Sequence, residues 1–335
     1  MASSSKKAVY SAIFANTVVA ILKFVGFVLT GSAALLSEGI HSVADVSNQI
    51  LLAIGIARSE KAADVHHPYG YGRDKFIFAM ISAVGIFWFG CGVTVYHGIH
   101  AIQEQHLDTT VLPVAIGILV VSGIIEMGTL WVAWTAVRDG ARSAGMTMRE
   151  FVVRGSDPMG VAVLLEDGAA VLGVGIALVG VGLSLWTHDP IYDGISTLLI
   201  GALLGCVAIF LVVKNRLVLL GQSMSDQQTE RVLDVLTSDP VVGEVLDIKT
   251  TVMGSETARF KAEIQFDGEM VTKRFLERQD MAAIRSRLND PDQLRSFLIG
   301  FGDDIVEALG DEIDRIESKI QKENPKVKHV DIETN

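Results

Sequence analysis

Six stretches of mainly apolar residues, near 8–30, 32–57, 76–102, 111–137, 158–186 and 191–213, fill the first two thirds of the chain. A hydrocarbon core about 30 Å thick is crossed by about 20 helical residues, so each stretch predicts a membrane-spanning helix. The first and second are separated only by the region of Gly31, the third and fourth by EQHLDTT, and the fifth and sixth by THDP. These short connections predict three tight hairpins. The pattern changes near residue 218. SDQQTERVLDVLTSD reads as a helix opened by Ser225. EVLDIKTTVM and TARFKAEIQF alternate as two strands about a turn at Gly254 and Ser255, and KVKHVDIET reads as a third strand. Between them, 270–324 holds at least two helical segments, the last being the amphipathic DDIVEALGDEIDRIESKIQKE. The expected fold is therefore an α-helical membrane protein with six transmembrane helices over 1–217, followed by a cytoplasmic α+β, ferredoxin-like domain over 218–335.

Composition agrees with this division. Half of the residues are hydrophobic and 20% are charged, with a mean hydropathy of +0.40, whereas a soluble domain of similar apolar content carries about 25% charge. The net charge of -11 is unevenly placed: 13 basic and 15 acidic residues up to 217 give -2, and 15 basic and 24 acidic residues beyond it give -9. No basic surface for nucleic acid is expected from such a balance. Cys91 and Cys206 lie far apart inside apolar runs, so neither a disulfide framework nor a cysteine-rich metal cluster is available. The first apolar run is too long for a secretory signal and lacks its small-residue cleavage pattern, which makes it a span. Of the 13 basic residues in 1–217, 12 flank the spans on one side: Lys6, Lys7, Arg58, Lys61, Arg73, Lys75, Arg138, Arg142, Arg149, Arg154, Lys214 and Arg216. The opposite loops hold none, which places both termini in the cytoplasm or its topological equivalent in an organelle.

Ionisable side chains inside spans are costly and mark candidate function. The second span reads LLSEGIHSVADVSNQILLAIGI, with His41 and Asp45 four residues apart and hence on one helical face. That spacing lets one helix offer an imidazole and a carboxylate to one metal ion or proton; the plainer alternative is a polar clamp between helices. The fifth span carries Glu166 and Asp167 side by side. Adjacent residues point about 100° apart on a helix, so Asp167 joins His41 and Asp45 in the expected site, while Glu166 is either a further ligand or a protonated inter-helix hydrogen bonder. Lys23 pairs with a carboxylate or reaches an interface, Glu126 relays protons or serves the fold, and Glu38 sits one turn before His41 near a cavity mouth. Asn16 and Asn48 are polar contacts. In the loop ARSEKAADVHHPYGYGRDKF, Asp64, His66 and His67 have spacing suited to a surface transition metal, against a turn enforced by Pro68 and Gly70.

The arrangement S-x-A-L-L-x-E-x-x-H-S-x-x-D from Ser32 to Asp45, the loop HPYGYGRDK from His67 to Lys75, six spans and an α+β tail resemble the cation diffusion facilitator family over essentially the whole chain, and LLEDGAAVLG in the fifth span is most similar to its zinc transporter 9 branch. The resemblance implies a homodimer in a lipid bilayer that exports a divalent metal, usually zinc, in exchange for protons, through an intramembrane tetrahedral site. Three features depart from the family's pattern. Its fifth-span H-x-x-x-D has Val163 where the histidine belongs, Tyr71 replaces the second loop histidine, and the tail holds one histidine, His329, and no cysteine. A site with fewer imidazoles is harder, which moves it toward Mn(II) or Fe(II), with Zn(II) still favoured by mixed imidazole and carboxylate ligation. Binding needs a neutral His41 and ionised Asp45 and Asp167, so it expels protons, which supplies the coupling for alternating access. The acidic tail then serves dimerisation and enriches cations. The rival reading is a non-transporting membrane scaffold whose tail binds partners. An enzyme is not expected, since no nucleophile–base pair, phosphate-cradling loop or redox motif is visible.

Overall fold

The computed structural model describes residues 2–30, 33–104, 112–155, 157–187, 189, 191–254, 257–287 and 290–335; the side chains of 2–8, 27, 29–30, 33–41, 104, 112–115, 185 and 286–287 lie outside the described residues. The chain divides into two compact units, 1–220 and 221–335.

The first unit is a helical bundle. Helix α1 spans Ala2–Thr30 and α2 spans Ala33–Ser59. The third span is continuous over 74–104 but changes character on the way: α3 covers Asp74–Gly85, a π-helical segment covers Ile86–Gly92, and α4 covers Val93–Glu104. Then come α5 (Leu112–Ser143), the short α6 (Met148–Arg154), α7 (Pro158–Thr187) and α8 (Ile191–Leu219). Five of these segments are long and apolar enough to cross a membrane among the described residues. The sixth, α2, has 27 residues and carries the polar run Ser42, Asp45, Ser47, Asn48 and Gln49. The six expected spans are thus all helical.

What the bundle buries explains its arrangement. From Pro158 to Leu164 every side chain of α7 is buried, because α1, α2, α3, α5 and α8 all pack around it. A helix apolar on every side is stable only when enclosed by protein or lipid. The outward faces of the bundle, including the later turns of α7, expose Phe14, Trp88, Trp131, Leu172, Trp186 and Leu199, an apolar surface suited to lipid. The chain is a multi-pass integral membrane protein. The helix α6 was not expected from the sequence, which shows only a basic connection there. It is capped by Thr147 Oγ1, which accepts from the Glu150 amide at 3.2 Å, and its Phe151 joins the bundle core. Lys214 near the end of α8 donates to the Val152 carbonyl at 2.5 Å and so ties α6 down.

The second unit is α+β. Helix α8 is followed by α9 (Asp226–Thr237), which Ser225 caps as expected by accepting from the Gln228 amide. Strands β1 (Val242–Val252) and β2 (Ala258–Phe266) pair antiparallel, and β3 (Val327–Thr334) joins β2 in parallel, giving the order β1-β2-β3. Parallel pairing requires a crossover, which is made by α10 (Gly268–Leu276), α11 (Met281–Arg287) and the 33-residue α12 (Pro291–Glu323). Ala258, Phe260, Ala262 and Ile264 alternate inward along β2 and meet Val232, Leu236, Ile316 and Ile320 from α9 and α12. Arg259 and Lys261 on the opposite face pair across the strands with Asp331 and Glu333, each at 2.6 Å.

Candidate metal site

Within the first unit, α2, the π-helical segment, α7 and α8 enclose a small cavity of about 10 Å³, the space of about one water-sized centre. Its walls are Ala44, Asp45, Asn48, Ile86, Gly90, Glu166, Ala170 and Leu204. Two carboxylates from two helices, Asp45 and Glu166, therefore share one enclosed space. Glu166 is 5% exposed. The Asn48 amide approaches it from α2, but neither Glu166 oxygen receives a hydrogen bond of full geometry. A buried carboxylate normally has its lone pairs satisfied, so the unbonded Glu166 oxygens make this cavity the candidate site.

Local structure fixes these groups. Gly85 allows Asn48 to approach α3: a Cβ there would lie 2.8 Å from Asn48 Oδ1. The π-helical segment brings Ile86 and Gly90 to the cavity wall. Such widened turns concentrate at functional positions, and the only hint in the sequence is the pair Gly90 and Gly92 flanking Cys91.

Asp167, 3% exposed, points away toward α5, where the Thr129 hydroxyl lies beside its carboxylate and Glu126 is close enough to act on it electrostatically. Asp45 also interacts electrostatically with both Glu166 and Asp167. The neighbouring acids can both be buried because α7 packs against α2 on one side and α5 on another, and adjacent residues, about 100° apart, can face two such neighbours. His41 and Glu38 are on α2, His41 one turn before Asp45, and their side chains lie outside the described residues. Among the described residues no three His, Cys, Asp or Glu side chains converge as a metal cluster.

The loop positions have a different character. Asp64 Oδ1 accepts from the amides of His66 and His67 at 3.0 and 2.8 Å, and Oδ2 accepts from the Tyr71 hydroxyl at 2.7 Å and from Lys61 Nζ at 3.4 Å. The Tyr71 hydroxyl, with these other donors, holds the Asp64 carboxyl well below the usual carboxylate range. His67 Nδ1 is 3.4 Å from Asp64 and its ring lies 4.3 Å from that of Tyr71, with Lys61 Nζ 4.4 Å from the Tyr71 ring centre. Asp64 and His67 thus come together, His66 contributes its backbone, and the carboxylate is already engaged as the hub of a turn.

Fold and site together define a multi-pass membrane protein that buries paired carboxylates in a small cavity between its helices. Residues 9–220 match the cation efflux transmembrane domain. The chain belongs to the cation efflux family. It is 41% identical over 330 residues to the human and mouse proteins named proton-coupled zinc antiporter SLC30A9, mitochondrial, covering 98% of this chain and 58% of each relative. It is also 41% identical over 339 residues to metal tolerance protein C4 of Arabidopsis thaliana, covering 98% of this chain and 73% of the relative. The chain therefore spans somewhat over half the length of its mammalian relatives.

Proposed function

We propose that this protein exports a divalent metal ion, zinc as the principal substrate, by proton antiport with alternating access. The observation that carries the reading is the sharing of one buried cavity by Asp45 and Glu166, in a chain aligned along 98% of its length with proteins named as proton-coupled zinc antiporters. The ligands are His41, Asp45 and Glu166, with Asp167 one position on and turned toward α5. A mixed set of imidazole and carboxylates suits zinc and also admits Mn(II) or Fe(II). Protons and metal compete for the same side chains, because each ligand binds the ion only after losing its proton. Glu126 and Thr129 beside Asp167 offer a polar route by which protons reach the site. Both termini face the cytoplasm or the equivalent organelle compartment, as the one-sided basic residues indicate. The acidic α+β unit serves to form a homodimer.

Purified protein in liposomes, loaded with a metal-sensitive and a pH-sensitive dye, tests this with Zn(II), Mn(II), Fe(II), Co(II) and Cd(II). Saturable Zn(II) flux with opposite proton movement, lost in Asp45→Ala and His41→Ala, is the expected result. Flux unchanged in both variants would sink the site, and no flux of any cation would leave a scaffold as the function.

A further inference from the structure

We propose that Lys23 is a built-in counter-cation that limits how tightly the membrane site holds its metal and so permits release; this rests on the metal-export reading above. Lys23 lies on α1 at 2% exposure and donates to Ser42 Oγ at 3.0 Å. Ser42 is adjacent to His41 and three residues before Asp45, one helical turn away on the same face of α2. Lys23 stands seven residues before the last residue of α1, Thr30, roughly 10 Å along the helix axis, and so inside a hydrocarbon core about 30 Å thick. A lysine at that depth could extend toward an interface to keep its ammonium wet. This one is instead directed sideways, into α2.

The surroundings explain why a cation is tolerated there. Helices α2, α5 and α7 pack against α1, and their buried or half-buried ionisable side chains are Asp45, Glu126, Glu166 and Asp167, all acidic. Glu38 and His41, also on α2, lie outside the described side chains. The other buried lysines occupy helix ends: Lys75 is the second residue of α3, and Lys214 lies in the last two turns of α8. Among the described residues Lys23 is thus the buried lysine farthest from a helix end.

A dication among several carboxylates in a water-poor cavity would bind with little tendency to leave. Transport needs a site strong enough to fill and weak enough to empty. A fixed positive charge bonded to Ser42, which is itself one helical turn from Asp45, opposes the metal without occupying its coordination sphere. At the effective dielectric of protein sites this repulsion is worth at least about tenfold in affinity.

The test measures equilibrium zinc binding to the purified full chain by competition with a chelating dye, and zinc flux in liposomes, for Lys23→Met, Lys23→Gln and Lys23→Arg. Glutamine can still bond Ser42, so it decides the matter if the methionine variant does not fold. Expected is zinc binding at least about tenfold tighter in the neutral variants, with KM and maximal flux both lowered because release slows, and near-normal values in Lys23→Arg. Unchanged or weaker binding in folded Lys23→Gln, while Asp45→Asn abolishes binding, would overturn the role of Lys23 alone. Wild-type binding in Asp45→Asn and His41→Ala would instead overturn the metal site itself.

Discussion

Glutamine at position 166 separates the site's chemistry from its architecture. Glu166→Gln keeps shape and volume, removes the charge and supplies an amide donor. The cost to folding should be small, because the Glu166 oxygens make no hydrogen bond of full geometry that glutamine would forfeit, and the side chain is already 5% exposed. A buried charge without hydrogen bonds is unfavourable, so the variant is expected to match or exceed wild-type thermal stability in detergent, within about 1 kcal/mol. Metal binding should behave in the opposite way. Two unit charges about 4 Å apart attract by about 4 kcal/mol at an effective dielectric of about 20, and a dication doubles this. Desolvation of the carboxylate offsets a large part. A residual loss of about 3 kcal/mol or more corresponds to a dissociation constant at least about 100-fold weaker. Equilibrium competition with a zinc-binding dye at fixed pH reads that change directly, and a thermal melt on the same preparation checks the fold. Wild-type zinc affinity in a folded Glu166→Gln protein would refute the reasoning and remove Glu166 from the ligand set, leaving Asp167 as the carboxylate from α7.

Gly85→Ala places a methyl group 2.8 Å from Asn48 Oδ1, so the amide must shift by roughly 0.6 Å to reach ordinary contact at 3.4 Å. A gain of about 1 kcal/mol in helix propensity offsets part of an overpacking cost of about 1–3 kcal/mol; a small change in melting temperature with zinc binding about tenfold weaker is expected, and a wild-type affinity would show that Asn48 does not shape the cavity. In the loop, the depressed Asp64 carboxyl contributes order that is fully present above the ordinary carboxylate value of about 3.9 and is lost as pH falls through its lower folded value. Hydrogen exchange at the His66 and His67 amides should therefore stay slow at about pH 4, and Tyr71→Phe should move the loss of protection upward in pH; identical profiles would exclude the Tyr71 hydroxyl as its cause. In the second unit, Arg315 contacts the buried Asp239 and Glu312 at 2.8 and 2.7 Å. Arg315→Met leaves these acids to Arg274 and should destabilise that unit by about 1–3 kcal/mol, less than for a wholly buried pair because Arg315 is partly solvated; protection of the β2 amides measures it, and no change would mean Arg274 suffices.

Length and periodicity made the helices and the tail's strands legible. Six apolar runs read as six spans because backbone hydrogen bonds must be satisfied within the segment in hydrocarbon, and Ser225 could be placed as a helix cap because its side chain acts on the next few residues. The titratable residues inside the spans were also legible, since a charge in an apolar run stands out whatever its neighbours are. Three things depended on the tertiary arrangement. Adjacency along α7 could not decide between Glu166 and Asp167; the packing of five helices around α7 buries both, turning one toward α2 and the other toward α5. The meeting of the π-helical segment with Asp45 and Glu166 at the cavity wall and the approach of Asn48 to Gly85 involve partners distant in sequence. The same holds for Lys23, whose bond to Ser42 joins residues 19 positions apart. Local sequence determines which segments become helices and strands, because backbone hydrogen bonding and solvent preference act at short range. Which polar side chains face each other is decided only when helices from distant parts of the chain come into contact, because a buried charge takes its character from neighbours that sequence order does not specify.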